Sequence, residues 1–159
     1  MIKIFYLALI ALFTFADQYT KQLIVNSFKL GQHKTIIDGF FSLTYVQNTG
    51  AGFSILQNAT MFLSAISILA IAYLSYLLFT QKNRPLSIIC YIFIISGALG
   101  NLIDRIRLSY VVDFLDFKIF GYDYPVFNVA DCLVTVGCIL LIIDTLMEER
   151  NAKDRSAGR

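Results

Sequence analysis

Four apolar stretches dominate the sequence, and they constrain the fold more than any other feature. A helix needs ~20 predominantly apolar residues to cross a bilayer. Hydrophobic residues make up 57% of the 159-residue chain and charged residues only 15%, whereas soluble domains have ~45–50% and ~25%. The sequence therefore predicts an all-α membrane protein with four transmembrane helices, at about residues 4–25, 59–79, 86–103 and 126–146.

The first and fourth spans reach full length only if each takes in an aspartate. The apolar run 4–16 has to continue through Asp17, and the fourth span has to begin before Asp131. An alternative for run 4–16 is a cleavable signal peptide, because it follows Lys3 and ends in a small residue. If the run is retained, two carboxylates are drawn into spans.

The two longer connections between spans carry strand patterns. Segment 26–58 is too long for a simple turn, and its alternation of apolar and polar residues over 41–45 predicts a strand. In segment 104–125 we expect an extended stretch at 110–117, a turn at 121–124, and Pro125 as the first residue of the fourth helix. Both segments connect alternate spans, so they lie on the same side and predict a small β-containing element there.

The remaining organisation is simple. Residues 1–149 are expected to form a single membrane domain, and the polar tail 150–159 is expected to be disordered. With cytoplasmic termini, seven Lys and Arg lie on the cytoplasmic side and six on the other. That balance does not determine orientation.

Charge and cysteine content exclude several classes of function. Thirteen Lys and Arg against eleven Asp and Glu, with no basic run, give no electrostatic footprint for nucleic acid. The single histidine, His33, lies in a polar stretch, and the three cysteines lie inside apolar runs. The sequence therefore predicts no metal site, no cofactor, and no catalytic site based on histidine or a thiol.

Polar and ionisable side chains gather at one end of the predicted spans, where such residues indicate function by default. Helical spacing of three and four residues places several of them on common helix faces. We expect one polar cluster at a membrane boundary, with the members Asp17, Asn48, Asn101, Asp104, Arg105, Asp113, Asn128 and Asp131.

Several of the acids also have a purely structural interpretation. In this interpretation Asp104 pairs with Arg105 and caps a helix end. Asp17 likewise accepts hydrogen bonds at the frayed end of the first span. Asp116 and Asp123 are predicted to be solvated loop acids.

Asp113 and Asp131 are harder to explain by structure alone. Asp113 interrupts the apolar segment 111–115. At Asp131 the helix dipole favours the anion, while desolvation by Phe127 and Val134 favours the neutral acid. Two carboxylates held close together share a proton, so that one activates water and the other donates a proton. This is a chemistry for hydrolysis without a metal or a nucleophilic side chain, although the sequence spacing of the two acids is by itself a weak signal.

Five ordered motifs carry a resemblance to a known family. They are Asp17-Gln18-x-x-Lys21, Asn48-x-Gly50-Ala51-x-Phe53-Ser54, Gly97-Ala98-x-Gly100-Asn101-x-x-Asp104-Arg105, Val111-Val112-Asp113-Phe114 and Phe127-Asn128-x-Ala130-Asp131. Over residues 17 to about 136 the chain resembles lipoprotein signal peptidase (signal peptidase II), an aspartyl peptidase of the bacterial inner membrane. It departs from the family at Gly52, where Ala is usual, and at Tyr124, where Trp is common.

The resemblance implies a function and a site. Asp113 and Asp131 become the catalytic pair, and the lining or bracing residues are Asp17, Asn48, Gly50, Asn101, Asp104, Arg105 and Asn128. The implied substrate is a lipidated prolipoprotein, cut just before the cysteine that carries a diacylglyceryl group. Cytoplasmic termini, a β-containing element and active site on the periplasmic side, and contact with membrane lipid also follow from the resemblance.

Further expectations concern lipid recognition and oligomeric state. Phe53, Val112 and Phe114 are expected to wall the site and to hold the diacyl group against apolar surface. The chain is expected to work as a monomer.

Two other functions compete with a peptidase. A small proton-coupled transporter also uses membrane carboxylates, but it predicts acids near the midplane, whereas spans two and three have no acid in their interiors. A scaffold, in which the polar cluster only fixes helix packing, fits the small residues 96–98 and Gly100. The scaffold gives no reason for Asp113 in an extended apolar segment.

Overall fold

The computed structural model describes residues 2–50, 57–80 and 84–157, which form four long helices and a small sheet. All four helices are long and apolar enough to cross a membrane. In chain order the elements are α1 (Ile2–Ser27), β1 (His33–Ile37), β2 (Phe41–Asn48), α2 (Thr60–Thr80), α3 (Pro85–Leu108), β3 (Val111–Ile119), β4 (Tyr122–Asp123) and α4 (Val129–Ala157). The predicted class, four membrane helices with a small β element, is confirmed.

The bounds of α4 differ from the prediction at both ends. Pro125 does not begin the helix, because the backbone of Phe127 pairs with β3 and the helix starts only at Val129. At the other end α4 continues to Ala157, so the tail expected to be disordered from residue 150 is helical that far. The helix therefore takes in three residues before the uncharged run 132–143, Asp131 among them, and continues past the run through a polar segment.

Helix α3 is the central helix of the bundle. Over its most apolar window 61% of the residues are buried, against 6–11% in the other three helices. Its side chains Tyr91, Ile92 and Ile95 pack in a core with Ile10 of α1 and Leu78 of α2. The outer helices keep many large apolar side chains exposed, which suits helices surrounded by lipid.

Two glycines of α3 allow close contact with its neighbours. A Cβ added to Gly97 would collide with the backbone oxygen of Ala130 in α4, and one added to Gly100 would collide with the carboxylate of Asp17 in α1. Small residues at such positions let membrane helices approach closely. Here the approach brings the start of α4 against the middle of α3.

Gly97→Ala tests this packing. The added methyl meets backbone rather than a movable side chain, so we expect the free energy of unfolding in detergent to fall by about 1–3 kcal/mol. Cys138→Ala, on an exposed position of α4, is the control and should leave the unfolding transition unchanged. A parent-like transition for Gly97→Ala would contradict the close approach of α3 and α4.

The sheet joins the two long connections. Its strands run antiparallel in the order β1-β2-β3-β4, so both connections lie at the same end of the helices. Strands were predicted at 41–45 and 110–117 and are confirmed as parts of β2 and β3. The turn predicted at 121–124 is shifted: the hairpin turns at Phe120 and Gly121, which have positive φ angles of 50° and 84°, and Tyr122 and Asp123 form β4.

Candidate active site

The alternation of β3 directs Asp113 away from the apolar core. Val112 and Phe114 point to one face, where they are buried with Ile24 of α1 and Tyr45 of β2. Side chains of neighbouring strand residues point to opposite faces, so Asp113 faces the other way, towards α4. Asp113 is nevertheless buried, with only 2% of its surface exposed.

Backbone pairing brings the start of α4 beside this strand. The amides of Phe114 and Leu115 donate to the carbonyl of Phe127 at 3.0 and 2.7 Å, and the Phe127 amide donates back to the Leu115 carbonyl at 3.1 Å. Asn128 follows at once and caps the helix, because its Oδ1 accepts from the Asp131 amide at 3.0 Å. Asp131 Oδ2 accepts from the Asn128 amide at 3.2 Å in return, which is the reciprocal pattern of a capping box.

Three asparagines hold the two aspartates. Asp113 accepts from Asn48 Nδ2 at 2.9 Å and from Asn128 Nδ2 at 2.6 Å. Asp131 Oδ1 accepts from Asn101 Nδ2 at 2.8 Å. Since Asn128 contacts both acids, its position fixes the two carboxylates relative to each other.

The surroundings of Asp113 favour its protonated form. Burial and then the nearby negative charge of Asp131 raise the pKa of the Asp113 carboxyl from 3.8 to about 7. The hydrogen bonds from Asn48 and Asn128 and the positive charge of Lys21 lower this pKa, but by less. Asp113 therefore holds a proton over much of the range in which an ordinary aspartate is ionised.

Both aspartates line one cavity of about 460 Å³. Four more of the predicted site residues line it: Asn48, Gly50, Asn101 and Arg105. Apolar side chains form much of the remaining wall, among them Val111, Val126, Phe127, Val134 and Val136. The cavity therefore places two carboxylates against an apolar surface.

Arg105 supports this cavity indirectly. It donates to the Gly50 carbonyl at 3.4 Å, while the Gly50 amide donates to Asn48 Oδ1 at 2.9 Å. Asn48 Nδ2 in turn donates to Asp113. Arg105 thus holds the backbone at Gly50 that orients Asn48, one of the two hydrogen-bond donors to Asp113.

The expected apolar wall was wrong in part. Val112 and Phe114 do not line the cavity, because strand alternation sends them into the core on the other face. Phe53 and the departure at Gly52 lie outside the described residues. Tyr124, the other departure from the family pattern, lines the cavity.

Asp17 and Asp104 lie behind the cavity rather than in its wall. Asp17 is a buried residue within α1, ten residues before its end, and its Oδ1 accepts from the Ala130 amide at 2.8 Å. Asp104 Oδ2 accepts from the Val112 amide at 3.1 Å. The two acids anchor the start of α4 and β3, so they brace the site, and Asp17 does not lie at a frayed helix end.

Lys21 joins these two acids and was missing from the predicted site. Its Nζ lies 2.9 Å from Asp17 Oδ2 and 3.0 Å from Asp104 Oδ2. The expected pairing of Asp104 with Arg105 was therefore wrong, since Asp104 pairs with a lysine from another helix. The sequence held two signals for this pair, the spacing of four residues between Asp17 and Lys21 and the motif Asp17-Gln18-x-x-Lys21.

Asp116 and Asp123 are separate from the cavity, but Asp116 is not the solvated loop acid that was predicted, because it lies on β3 with its side chain 25% exposed. Asp116 on β3 accepts from Thr44 Oγ1 at 2.6 Å, and the Asp123 side chain in the hairpin is 81% exposed. Neither lines the cavity. Within residues 2–50, 57–80 and 84–157, no three His, Cys, Asp or Glu side chains are placed to hold a metal ion.

Known proteins match this chain over most of its length. A curated lipoprotein signal peptidase of Streptococcus pyogenes serotype M6 is 46% identical over 150 residues, covering 92% of this chain and 95% of the relative. The lipoprotein signal peptidase of Cupriavidus taiwanensis is 39% identical over 149 residues, covering 91% and 84%.

Solved structures match the fold over most of the chain. A solved structure of a bacterial membrane enzyme superimposes with a TM-score of 0.86 at 35% identity, covering 92% of this chain and 90% of that one. A second solved bacterial membrane enzyme gives a TM-score of 0.81, also at 35% identity, over 89% and 92%. The family model described as signal peptidase (SPase) II matches residues 9–147. The chain is a multi-pass membrane peptidase that belongs to the signal peptidase II family.

Proposed function

We propose that this protein is an aspartyl endopeptidase that removes the signal peptide from prolipoproteins, cutting before the diacylglyceryl-modified cysteine. The family and its curated relatives support the peptidase and the prolipoprotein substrate. The observation that carries the aspartyl mechanism is the placement of Asp113 and Asp131 on one cavity, with Asn128 bonded to both.

The raised pKa of Asp113 assigns roles to the two carboxylates. We place the proton of the pair on Asp113, because its carboxyl stays protonated up to a pKa of about 7. Asp131 then takes a proton from water as the water oxygen attacks the scissile carbonyl carbon, and Asp113 donates its proton to the carbonyl oxygen. In the second step the proton on Asp131 passes to the leaving nitrogen as the C–N bond breaks, and Asp113 recovers its proton from the tetrahedral intermediate.

This assignment predicts a pH dependence of cleavage. The single-turnover rate should fall as the pH rises above about 7, because Asp113, whose pKa is about 7, loses the proton that it donates. The measurement is the rate of one turnover of lipidated precursor across pH 5 to pH 9, roughly the range in which a bell-shaped profile would reveal such a group. A rate that stays level through pH 8 would contradict the role given to Asp113.

The same shift predicts the direction in which stability changes with pH. Unfolded Asp113 titrates near its ordinary value of 3.8 and folded Asp113 near 7, so between these values the folded state binds more protons. Its contribution to the free energy of unfolding therefore falls as the pH rises through this window. Asp113→Asn should remove that part of the slope, and Asp116→Asn serves as the control.

Lipid recognition is the second part of the proposal. The cavity continues from Asp131 along α4 past Val134 to Val136, about 7.5 Å along a helix at ~1.5 Å per residue. This direction leads into the membrane-spanning part of α4 and along apolar side chains. A diacyl chain held there leaves the peptide bond before its cysteine close to the carboxylates.

Topology and assembly complete the proposal. We place the protein in the bacterial inner membrane as a monomer, with its termini in the cytoplasm and the sheet and cavity on the periplasmic side. Labelling of single cysteines introduced at Phe120, in the exposed hairpin, and at Asn151, near the end of α4, tests the orientation. External labelling of position 151 in intact cells would contradict it.

A direct test of the function uses the purified protein and a defined precursor. Incubation with a prolipoprotein that carries a diacylglyceryl cysteine should release a shortened lipoprotein whose mass places the cut before that cysteine. No product, or a cut elsewhere, would contradict the proposal. The transporter has no support, because the two acids on the cavity lie on β3 and in the first turn of α4, at one end of the helices rather than midway along them.

A further inference from the structure

Lys21 is a buried cation whose ammonium has three hydrogen-bond acceptors. Its residue is 3% exposed, and besides the two oxygens of Asp17 and Asp104 its Nζ contacts Asn101 Oδ1 at 2.9 Å. An ammonium has three donors, so these three contacts use its full capacity. The third contact is not needed to neutralise the acids, and it leads towards the cavity.

That third contact determines how the Asn101 amide is oriented. Asn101 Oδ1 accepts from Lys21 Nζ and also from Asn128 Nδ2 at 3.1 Å, which leaves Nδ2 to donate to Asp131 Oδ1 at 2.8 Å. A flipped amide would place its NH₂ group against an ammonium and its oxygen against a carboxylate. Both contacts would be repulsive, and repulsion is costly in a buried site.

The same oxygen also governs the donor to Asp113. Asn128 Nδ2 lies between Asn101 Oδ1 and Asp113 Oδ1, at 3.1 and 2.6 Å. Asn101 Oδ1 therefore helps to position a donor to each aspartate. Its placement turns Asn101 Nδ2 towards Asp131, and it accepts from the Asn128 amide that donates to Asp113. Lys21 holds this oxygen from the side away from the cavity, and it does not line the cavity itself.

Resting on the proposed function, we propose that Lys21 is a positioning residue for the aspartate pair, which sets the orientation of Asn101 and thereby the hydrogen bonds to both carboxylates. Its ammonium does not touch substrate. It acts through Asn101 on Asp131 and through Asn128 on Asp113. This role is additional to holding Asp17 and Asp104 together.

The charged groups around Asp113 give this role a readout that stability alone does not provide. The charges that interact with the Asp113 carboxylate are those of Asp131 in α4, Lys21 in α1 and Arg105 in α3. Asp17 and Asp104 lie on the far side of Lys21 and pair with it. The positive charge of Lys21 lowers the pKa of Asp113, as do the hydrogen bonds from Asn48 and Asn128. Losing Lys21 and loosening Asn128 therefore shift this pKa in the same direction, upwards.

The experiment measures single-turnover cleavage of lipidated precursor against pH by folded Lys21→Gln. We expect the rate at pH 7 to fall about 10²-fold, the scale of a small misplacement of reacting groups, and the fall in rate at alkaline pH to begin at higher pH than in the parent. Lys21→Gln leaves two buried carboxylates without their cation. A double variant, Lys21→Gln with Asp17→Asn, restores the balance of buried charge. It is measured beside the single variant and should behave in the same way.

Gln18→Leu is the matched control on the same helix. Gln18 Nε2 donates to Asp104 Oδ1 at 2.8 Å and to the Gly100 carbonyl at 3.1 Å, but it has no hydrogen bond to Asn101 among the described residues. Its loss disturbs the same acids without freeing the Asn101 amide. We expect Gln18→Leu to lower stability while folded enzyme keeps the pH profile of the parent.

The outcomes separate this role from the proposed function. A parent-like rate and pH profile in folded Lys21→Gln, or a charge-balanced variant that does not fold, would contradict the positioning role. In both cases Asp113→Asn and Asp131→Asn would still be inactive if the proposed function holds. If Asp113→Asn cleaves normally, the proposed function itself is wrong, whatever Lys21→Gln does.

Discussion

Asp113→Asn and Asp131→Asn are each expected to lower the single-turnover cleavage rate by at least about 10³, at the upper part of the range for acid–base groups. Asparagine keeps the shape of the side chain and an oxygen acceptor, but it cannot exchange the proton that the pair shares. Each carboxylate accepts on both oxygens, Asp113 from Asn48 and Asn128 and Asp131 from Asn101 and the Asn128 amide. The new NH₂ group therefore faces one donor, so stability is measured beside the rate. The measurement uses a lipidated precursor and variants purified in folded form.

The double variant tests whether the two carboxylates act as one unit. Groups that act together lose activity non-additively, so the double variant should be little slower than either single variant. Asp116→Asn and Asp123→Asn are the controls, since both acids lie away from the cavity, and they should retain most activity. Near-parent cleavage by Asp113→Asn or Asp131→Asn would rule out the aspartyl mechanism.

The helical part of the fold was predictable because lipid imposes a simple rule on the sequence. A spanning helix has to be long and apolar, so the four runs could be located without knowing any contacts. The ends of α4 were not, because they depend on partners elsewhere in the chain. The start is delayed to Val129 by pairing of Phe127 with Leu115 in β3, a contact that no local pattern shows.

The sheet was predictable only where its residues alternate. The run 41–45 alternates and belongs to β2, whereas the strand His33–Ile37 has no such pattern and was not predicted. It forms because its backbone pairs with β2, as His33 opposite Thr44 shows. An exposed edge strand of this kind is specified by its neighbour more than by its own sequence.

The site was predictable as a set of residues but not as a network. Helix spacing grouped Asn101 with Asp104 and Asn128 with Asp131, and the structure brings both groups to the same end of the bundle. Strand alternation is a local rule, and it also separates Asp113 from Val112 and Phe114, which were wrongly expected in the wall. The partner of Asp104 was not predictable, because Lys21 comes from a different helix.

The lipid on the substrate should matter almost as much as the catalytic pair. The wall of the cavity is apolar from Val111 and Phe127 to Val134 and Val136, and burial against such a surface contributes ~0.8 kcal/mol per CH₂. If about five methylenes of the diacyl group are held there, they contribute about 4 kcal/mol, which corresponds to about 10³ in kcat/KM. A precursor with an unmodified cysteine should be a correspondingly poor substrate.

The measurement compares kcat/KM for the same precursor with and without the diacylglyceryl group, in the same detergent. Val134→Asn places an amide in the proposed lipid wall and should reduce cleavage of the lipidated precursor much more than cleavage of the unlipidated one. Ile139→Asn, on an exposed position of the same helix, controls for a polar group added to α4. Equal kcat/KM values for the two precursors would show that the lipid does not contribute to recognition and that the peptide alone determines which substrate is cleaved.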